Sequence, residues 1–170
     1  MARTIDWQPQ QGPQHKLITC PNSIDERFYG GSRGGGKSDA MAGHAGLKSA
    51  KYGSGVRAVF FRREYPQLDA IIDRSKEIYG PIGATYAEQR KQWVFPNGRS
   101  LDTDARAEAY QGHSYTDVYF EELTNYPNPA PVMKMKATLR SAEGIPCHFH
   151  ATGNPGGPGH GWVKQRYIDP

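Results

Sequence analysis

"GGSRGGGKSD", residues 30–39, places five glycines, one arginine and one lysine in ten positions. Within it, Gly31-x-x-x-x-Gly36-Lys37-Ser38 has the spacing of a phosphate-binding loop. The chemistry explains the residue types. Gly31, Gly34, Gly35 and Gly36 let the backbone curl, so that successive N–H groups, including those of Ser32 and Arg33, point inward at phosphate oxygens. Lys37 then lies over the β and γ phosphates, and Ser38 offers a hydroxyl to Mg²⁺. "ERFYG" (26–30) reads as the strand entering the loop, and "SDAMAGHAGLKSAKY" (38–52) as the helix leaving it, with Gly53 as its stop. The positive end of that helix faces the same anion.

Working outward, β-rich runs alternate with helical ones. "VRAVFFR" (56–62) predicts a strand and "QLDAIIDRSKEIYG" (67–80) an amphipathic helix closed by Gly80 and Pro81. Residues 84–103 predict an antiparallel hairpin turning at "PNG" (96–98). "TDVYFEEL" (116–123) is a strand ending in two acids, "APVMKMKATLRS" (130–141) a helix, and "CHFHATGNPGG" (147–157) a strand running into a turn. The expected fold is α/β and three-layered: a mostly parallel sheet with an added antiparallel hairpin.

A phosphate loop needs an acid for its metal at the end of a neighbouring strand. Asp117 lies at the wrong end of "DVYFEEL", since four residues at ~3.3 Å put it about 13 Å from Glu121. Glu121 is therefore the metal-side acid and Glu122 the base that orients the attacking water. Thr152 and Asn154 fall at the same sheet edge, where polar side chains can sense the γ-phosphate.

Composition sets wider bounds. The chain has 170 residues, 21 Lys+Arg against 17 Asp+Glu, and a net charge of +4, which suits an anionic partner without choosing between nucleotide and nucleic acid. Cys20 and Cys147 form no C-x-x-C and read as small buried hydrophobes. No apolar run approaches membrane length and no signal peptide is evident, which predicts a soluble intracellular protein. His148 and His150 share a strand face, with packing favoured over metal binding because no third ligand is evident. Lys136 and Arg140 share a face of the expected helix, a solvated face or a contact for DNA.

Taken together, these residues resemble the ATPase part of the large terminase subunit of tailed phages, the DNA-packaging motor. "GPQHKLI" (12–18) is similar to the family's adenine-side motif, which nominates Gln14. "YGGSRGGGKS" (29–38) is similar to its phosphate loop, including the arginine at Arg33. "FFRREYPQL", "YQGHSYTDVYFEELTNYP", "LRS" (139–141) and "ATGNPGGPGHGWVKQRYID" extend the likeness to the end of the chain. The family usually has Asp then Glu where this chain has Glu121 and Glu122.

The resemblance implies a single P-loop ATPase domain over 1–170, without the nuclease that follows it in family members. It implies ATP and Mg²⁺ as cofactors and catalytic roles for Glu122, Lys37 and Arg33. Double-stranded DNA, a homo-oligomeric ring, a portal and a small terminase subunit are the implied partners, in the host cytoplasm and without a membrane. Arg106, Arg62 and Arg63 are candidates for an arginine finger.

Overall fold

The computed structural model describes residues 5–96, 100–104 and 112–170. Its strands form one seven-stranded sheet in the order β1-β7-β6-β2-β5-β4-β3. These are β1 (Glu26–Gly30), β2 (Arg57–Phe61), β3 (Thr85–Ala87), β4 (Gln92–Val94), β5 (Ser100–Asp104), β6 (Asp117–Phe120) and β7 (His148–Gly153). The helices are α1 (Pro13–Ile18), α2 (Lys37–Tyr52), α3 (Asp69–Tyr79), α4 (Ala130–Lys136) and α5 (His160–Tyr167).

The central strands are apolar on both sides because helices cover both faces. Phe60 of β2 and Tyr119 of β6 join Met41, Ala45, Ile78, Tyr79 and Trp93 in one buried cluster, on the side of α1, α2 and α3. Their strand neighbours Phe61, Val118 and Phe120 join Val132, Met135 and Val163 in a second, on the side of α4 and α5. Alternation along each strand thus feeds two cores, which gives the three expected layers.

The added antiparallel hairpin is present: β4 pairs in antiparallel with β5 and β3, and β5 joins it to the sheet by pairing in parallel with β2. The turn at "PNG" itself lies largely outside the described residues. Two other sequence expectations need correction. The acid strand β6 is not next to the loop strand β1, because β7 lies between them and pairs with both. Helix α4 ends at Lys136 and not at 141. There the chain turns to pair with Tyr115, whose N–H donates to the Thr138 carbonyl (2.9 Å) and whose carbonyl accepts from Arg140 N–H (3.0 Å). Strand-like pairing overrides helix propensity there, so Lys136 and Arg140 share no helix face. Lys136 instead pairs with Glu26, and Arg140 donates to the Ser114 hydroxyl and the Gly112 carbonyl.

α1 and α5 were not expected as helices. The six residues of α1 are too few to show a helical period, although Pro13 stands at the helix start that suits proline. Cys20 and Cys147 are half-buried rather than buried.

At the N-terminal end of β6 and β7 lies a polar cluster with no part in the glycine loop. Asp117 is fully buried and pairs with Lys48 of α2 at 2.8 Å. His150 Nε2 is 3.2 Å from the same carboxylate, and His44 Nδ1 is 2.7 Å from the Tyr119 hydroxyl. His44, Asp117 and His150 bring three potential metal-ligand atoms within 4.8 Å of one another, a group that takes in His150 but not His148 of the expected pair. The Lys48 ammonium on Asp117, and the Arg27 guanidinium 3.5 Å from His44, already fill this space with positive charge.

Burial pushes His44 and His150 well below the ordinary histidine value, and lowers His148 as well. Neighbouring charges add to this: His150 and Arg27 act on His44, Arg27 on His150, and Lys48 on all three. A histidine kept neutral in the fold takes up its proton first in the unfolded chain. Stability should therefore be level above about pH 6.5 and fall below it, by up to about 1.4 kcal/mol per pH unit for each such histidine. Urea midpoints at about pH 7.5 and about pH 5.5 check this, and the acidic midpoint should be clearly lower.

Candidate nucleotide site

The C-terminal ends of β1, β7 and β6 open on one edge of the sheet, and the glycine loop starts there. Gly31 N–H donates to the Gly153 carbonyl at 3.2 Å, tying the loop to β7. Gly34 (φ +79°) and Gly36 (φ +68°) occupy the left-handed region, where a side chain is disfavoured. Helix α2 begins at Lys37, directly after Gly36. Ser32, Arg33, Gly34 and Gly35 are exposed, so this part of the loop is open to solvent.

Lys37 is 9% exposed, and its ammonium donates to the carbonyls of Ser32 (2.5 Å) and Gly31 (3.1 Å). It thus folds back over the loop. Burial lowers its pKa, while Glu122 and Glu121 pull it up. Those two charges reach Lys37 although β7 separates their strands, because both acids stand just past the end of β6.

Glu121 is 1% exposed, and neither carboxylate oxygen completes a hydrogen bond. Burial raises its pKa, and Arg62, Ser38 and Lys37 act in the opposite direction. A buried carboxylate with its nearest cation at 3.5 Å, beside a serine hydroxyl, is an acceptor set of the kind hard cations bind. Asp117 is held by Lys48 at the far end of β6, as the strand length predicts.

Glu122 has φ +50°, a conformation that costs a non-glycine residue of order 1 kcal/mol and clusters at functional sites. Its N–H donates to Thr152 Oγ1 at 3.2 Å. Its Oε2 accepts from Asn125 Nδ2 (3.2 Å), and its Oε1 lies 2.9 Å from Arg62 Nη2 and 3.5 Å from Asn154 Nδ2. Thr152 and Asn154 therefore meet Glu122 directly. Arg62 follows β2, the other neighbour of β6, and its Nε is 3.5 Å from Glu121, so it spans both acids. Arg63 turns elsewhere, donating to the Asn125 carbonyl at 2.6 Å. Arg106 lies outside the described residues.

Gln14 is 2% exposed and touches the loop itself. Its Nε2 donates to the Gly36 carbonyl at 2.9 Å. A cavity of about 290 Å³ lies beside the loop, lined by Gln10, Gln11, Pro13, Tyr29, Ser32 and Lys37 among others. The Tyr29 hydroxyl donates to the Gly35 carbonyl at 2.7 Å, which fixes that wall to the loop. Sequence reasoning missed Tyr29 as part of the site; of Arg62 and Arg63, both candidates, Arg62 is the one that meets the acids. The register of β2 against β6, Phe61 beside Phe120, is what brings Arg62 to the acids.

A mostly parallel sheet carrying a strand–glycine loop–helix at its C-terminal edge, with a buried acid beside it, defines the P-loop NTPase fold. Residues 28–157 match the family of the terminase large subunit, T4likevirus-type, N-terminal, and the chain belongs to that family. Solved structures agree on the fold. The large terminase of the thermophilic bacteriophage D6E in complex with ATP-gamma-S is similar with a TM-score of 0.74 at 19% identity, covering 92% of this chain and 41% of that one. The ATPase domain of the Thermus phage P74-26 large terminase gives 0.69 at 15% identity, covering 90% and 67%. The HK97 bacteriophage large terminase gives 0.65 at 13%, covering 87% and 34%. The chain thus spans less than half the length of the D6E and HK97 terminases. No curated protein sequence matches it.

Proposed function

We propose that this chain is the ATP-binding and ATP-hydrolysing core of a DNA-packaging motor. The observation that carries the reading is the meeting of Lys37 and Ser38 with the buried Glu121 and the strained Glu122 at one sheet edge. Family membership and the nucleotide complexes of the D6E terminase, with ADP and ATP-gamma-S, support it.

In this reading the loop N–H groups and Lys37 hold the phosphates, and Arg33 adds charge from the exposed side. Ser38 and Glu121 would hold Mg²⁺, which supplies charge neutralisation at the phosphates when bound. Glutamate at 121 reaches one methylene further than the aspartate usual in the family. Glu122 orients the attacking water and accepts its proton. Asn154, in contact with Glu122, relays the state of the γ-phosphate to that base. Gln14 and the cavity at Tyr29 serve the adenine side. The motor would act on double-stranded DNA as a homo-oligomeric ring, with a portal and a small terminase subunit, in the host cytoplasm. No helix among the described residues is long and apolar enough to cross a membrane.

A second reading has one observation in its favour: Glu121 in the place of aspartate. It makes the chain a nucleotide-binding module with little or no turnover. Steady-state ATP hydrolysis with and without double-stranded DNA separates the two. Slow hydrolysis stimulated by DNA is expected; retained ATP binding with no hydrolysis selects the module.

A further inference from the structure

The Gln14 amide has no free end. Its Oε1 accepts from Gln10 N–H at 2.8 Å, and its Nε2 donates to the Gly36 carbonyl at 2.9 Å and to Asp39 Oδ2 at 3.3 Å. A Cβ on Gly36 would come within 2.4 Å of that Nε2, so loop and glutamine are fitted to each other. The residue nominated for the adenine is thus committed to holding the last glycine of the phosphate loop.

Asp39 is what gathers this arrangement. It is the third residue of α2, two past Lys37. Its Oδ2 accepts from the Trp7 indole N–H at 3.0 Å as well as from Gln14. Its Oδ1 accepts from Arg74 Nε of α3 at 2.6 Å. Three donors from distant parts of the sequence therefore converge on one carboxylate. Trp7 is 7% exposed, and its ring lies so close to α2 that a Cβ on Gly43 would meet it at 2.4 Å. Without Asp39 the buried indole N–H loses its acceptor, and Gln14 keeps only one of its two.

We infer that Asp39 is a positioning residue of the nucleotide site: it fixes Trp7 and Gln14 against the start of α2, and through Gln14 it presets the Gly36 end of the phosphate loop. The inference rests on the loop being a nucleotide site. A preset loop binds phosphate without first ordering its N–H groups, so the contribution falls on affinity. An acid in the first turn of a helix also has a simpler use, which is to offset the helix dipole. That use needs only the charge. Positioning needs an acceptor oxygen at the place of Oδ2.

Three substitutions separate these uses. Asp39→Asn keeps an acceptor oxygen and removes the charge, and the half-exposed Arg74 can swing to solvent. Asp39→Glu keeps the charge and moves the oxygens. Asp39→Ala removes both. ATP affinity is measured by titration of a fluorescent analogue, and KM and kcat by steady-state hydrolysis where turnover is present, on chains shown to be folded by circular dichroism. Asp39→Ala and Asp39→Glu should bind about tenfold more weakly, with the loss in KM rather than kcat, and Asp39→Asn should stay within about twofold of the unmodified chain. Should Asp39→Ala not fold, the Asn and Glu variants decide. Asp39→Asn as weak as Asp39→Ala, Asp39→Glu equal to the unmodified chain, or no loss in any variant overturns the inference. Failure of the unmodified chain to bind ATP overturns the site reading instead.

Discussion

Lys37→Ala should abolish measurable ATP binding. The lysine is buried against the loop, donates to the Gly31 and Ser32 carbonyls, and lies within the field of Glu121 and Glu122. Arg33, the other cation of the loop, is exposed and screened by solvent. Alanine removes the one buried cation of the loop, and Arg62 is already engaged by Glu121 and Glu122, so the effect exceeds that of one lost neutral hydrogen bond. A loss of at least about 100-fold is expected, following the cost of unpaired charge in a partly buried site. Titration with a fluorescent ATP analogue measures it, and unchanged affinity would remove the phosphate-loop assignment.

Glu122→Gln should leave ATP bound and stop turnover. Glutamine has the size of glutamate, and its carbonyl oxygen can still accept from Asn154 or Asn125, so the strained backbone at residue 122 keeps its side-chain partners. It cannot take a proton from water, and a positioned base contributes about 10²–10⁴-fold. Phosphate release should fall by that factor while the affinity for ATP changes little. Glu121→Gln should act differently, weakening the Mg²⁺ dependence, since its buried oxygens lie beside Ser38. If Glu121→Gln stops turnover and Glu122→Gln does not, the roles of the two acids are exchanged.

The glycine loop, its strand and its helix were legible because each depends on local rules: glycine at positive φ, helix formers after it, and Gly53 as the stop, observed at φ +73°. The assignment of Asp117 to the wrong end of its strand was legible from strand geometry alone. What failed depended on contacts between distant segments. The sequence order β1, β2, β6, β7 does not say that β7 inserts between β1 and β6. The end of α4 is set by Tyr115, fifteen or more residues before the helix starts. Arg62 and Arg63 are equal candidates in the sequence, and it is the β2–β6 register that places Arg62 on both acids. The grouping of His150 with Asp117 and His44, without His148, was not legible because His44 comes from α2, across the core.

Equilibrium binding of ATP, ADP and AMP to the unmodified chain with Mg²⁺, by isothermal titration calorimetry, tests the central claim most directly. A loop that holds phosphates through its N–H groups and Lys37 needs a β-phosphate. ATP and ADP should saturate a single site, and AMP should bind at least about tenfold more weakly. No saturable binding of ATP, or AMP binding as tightly as ADP, would contradict the account.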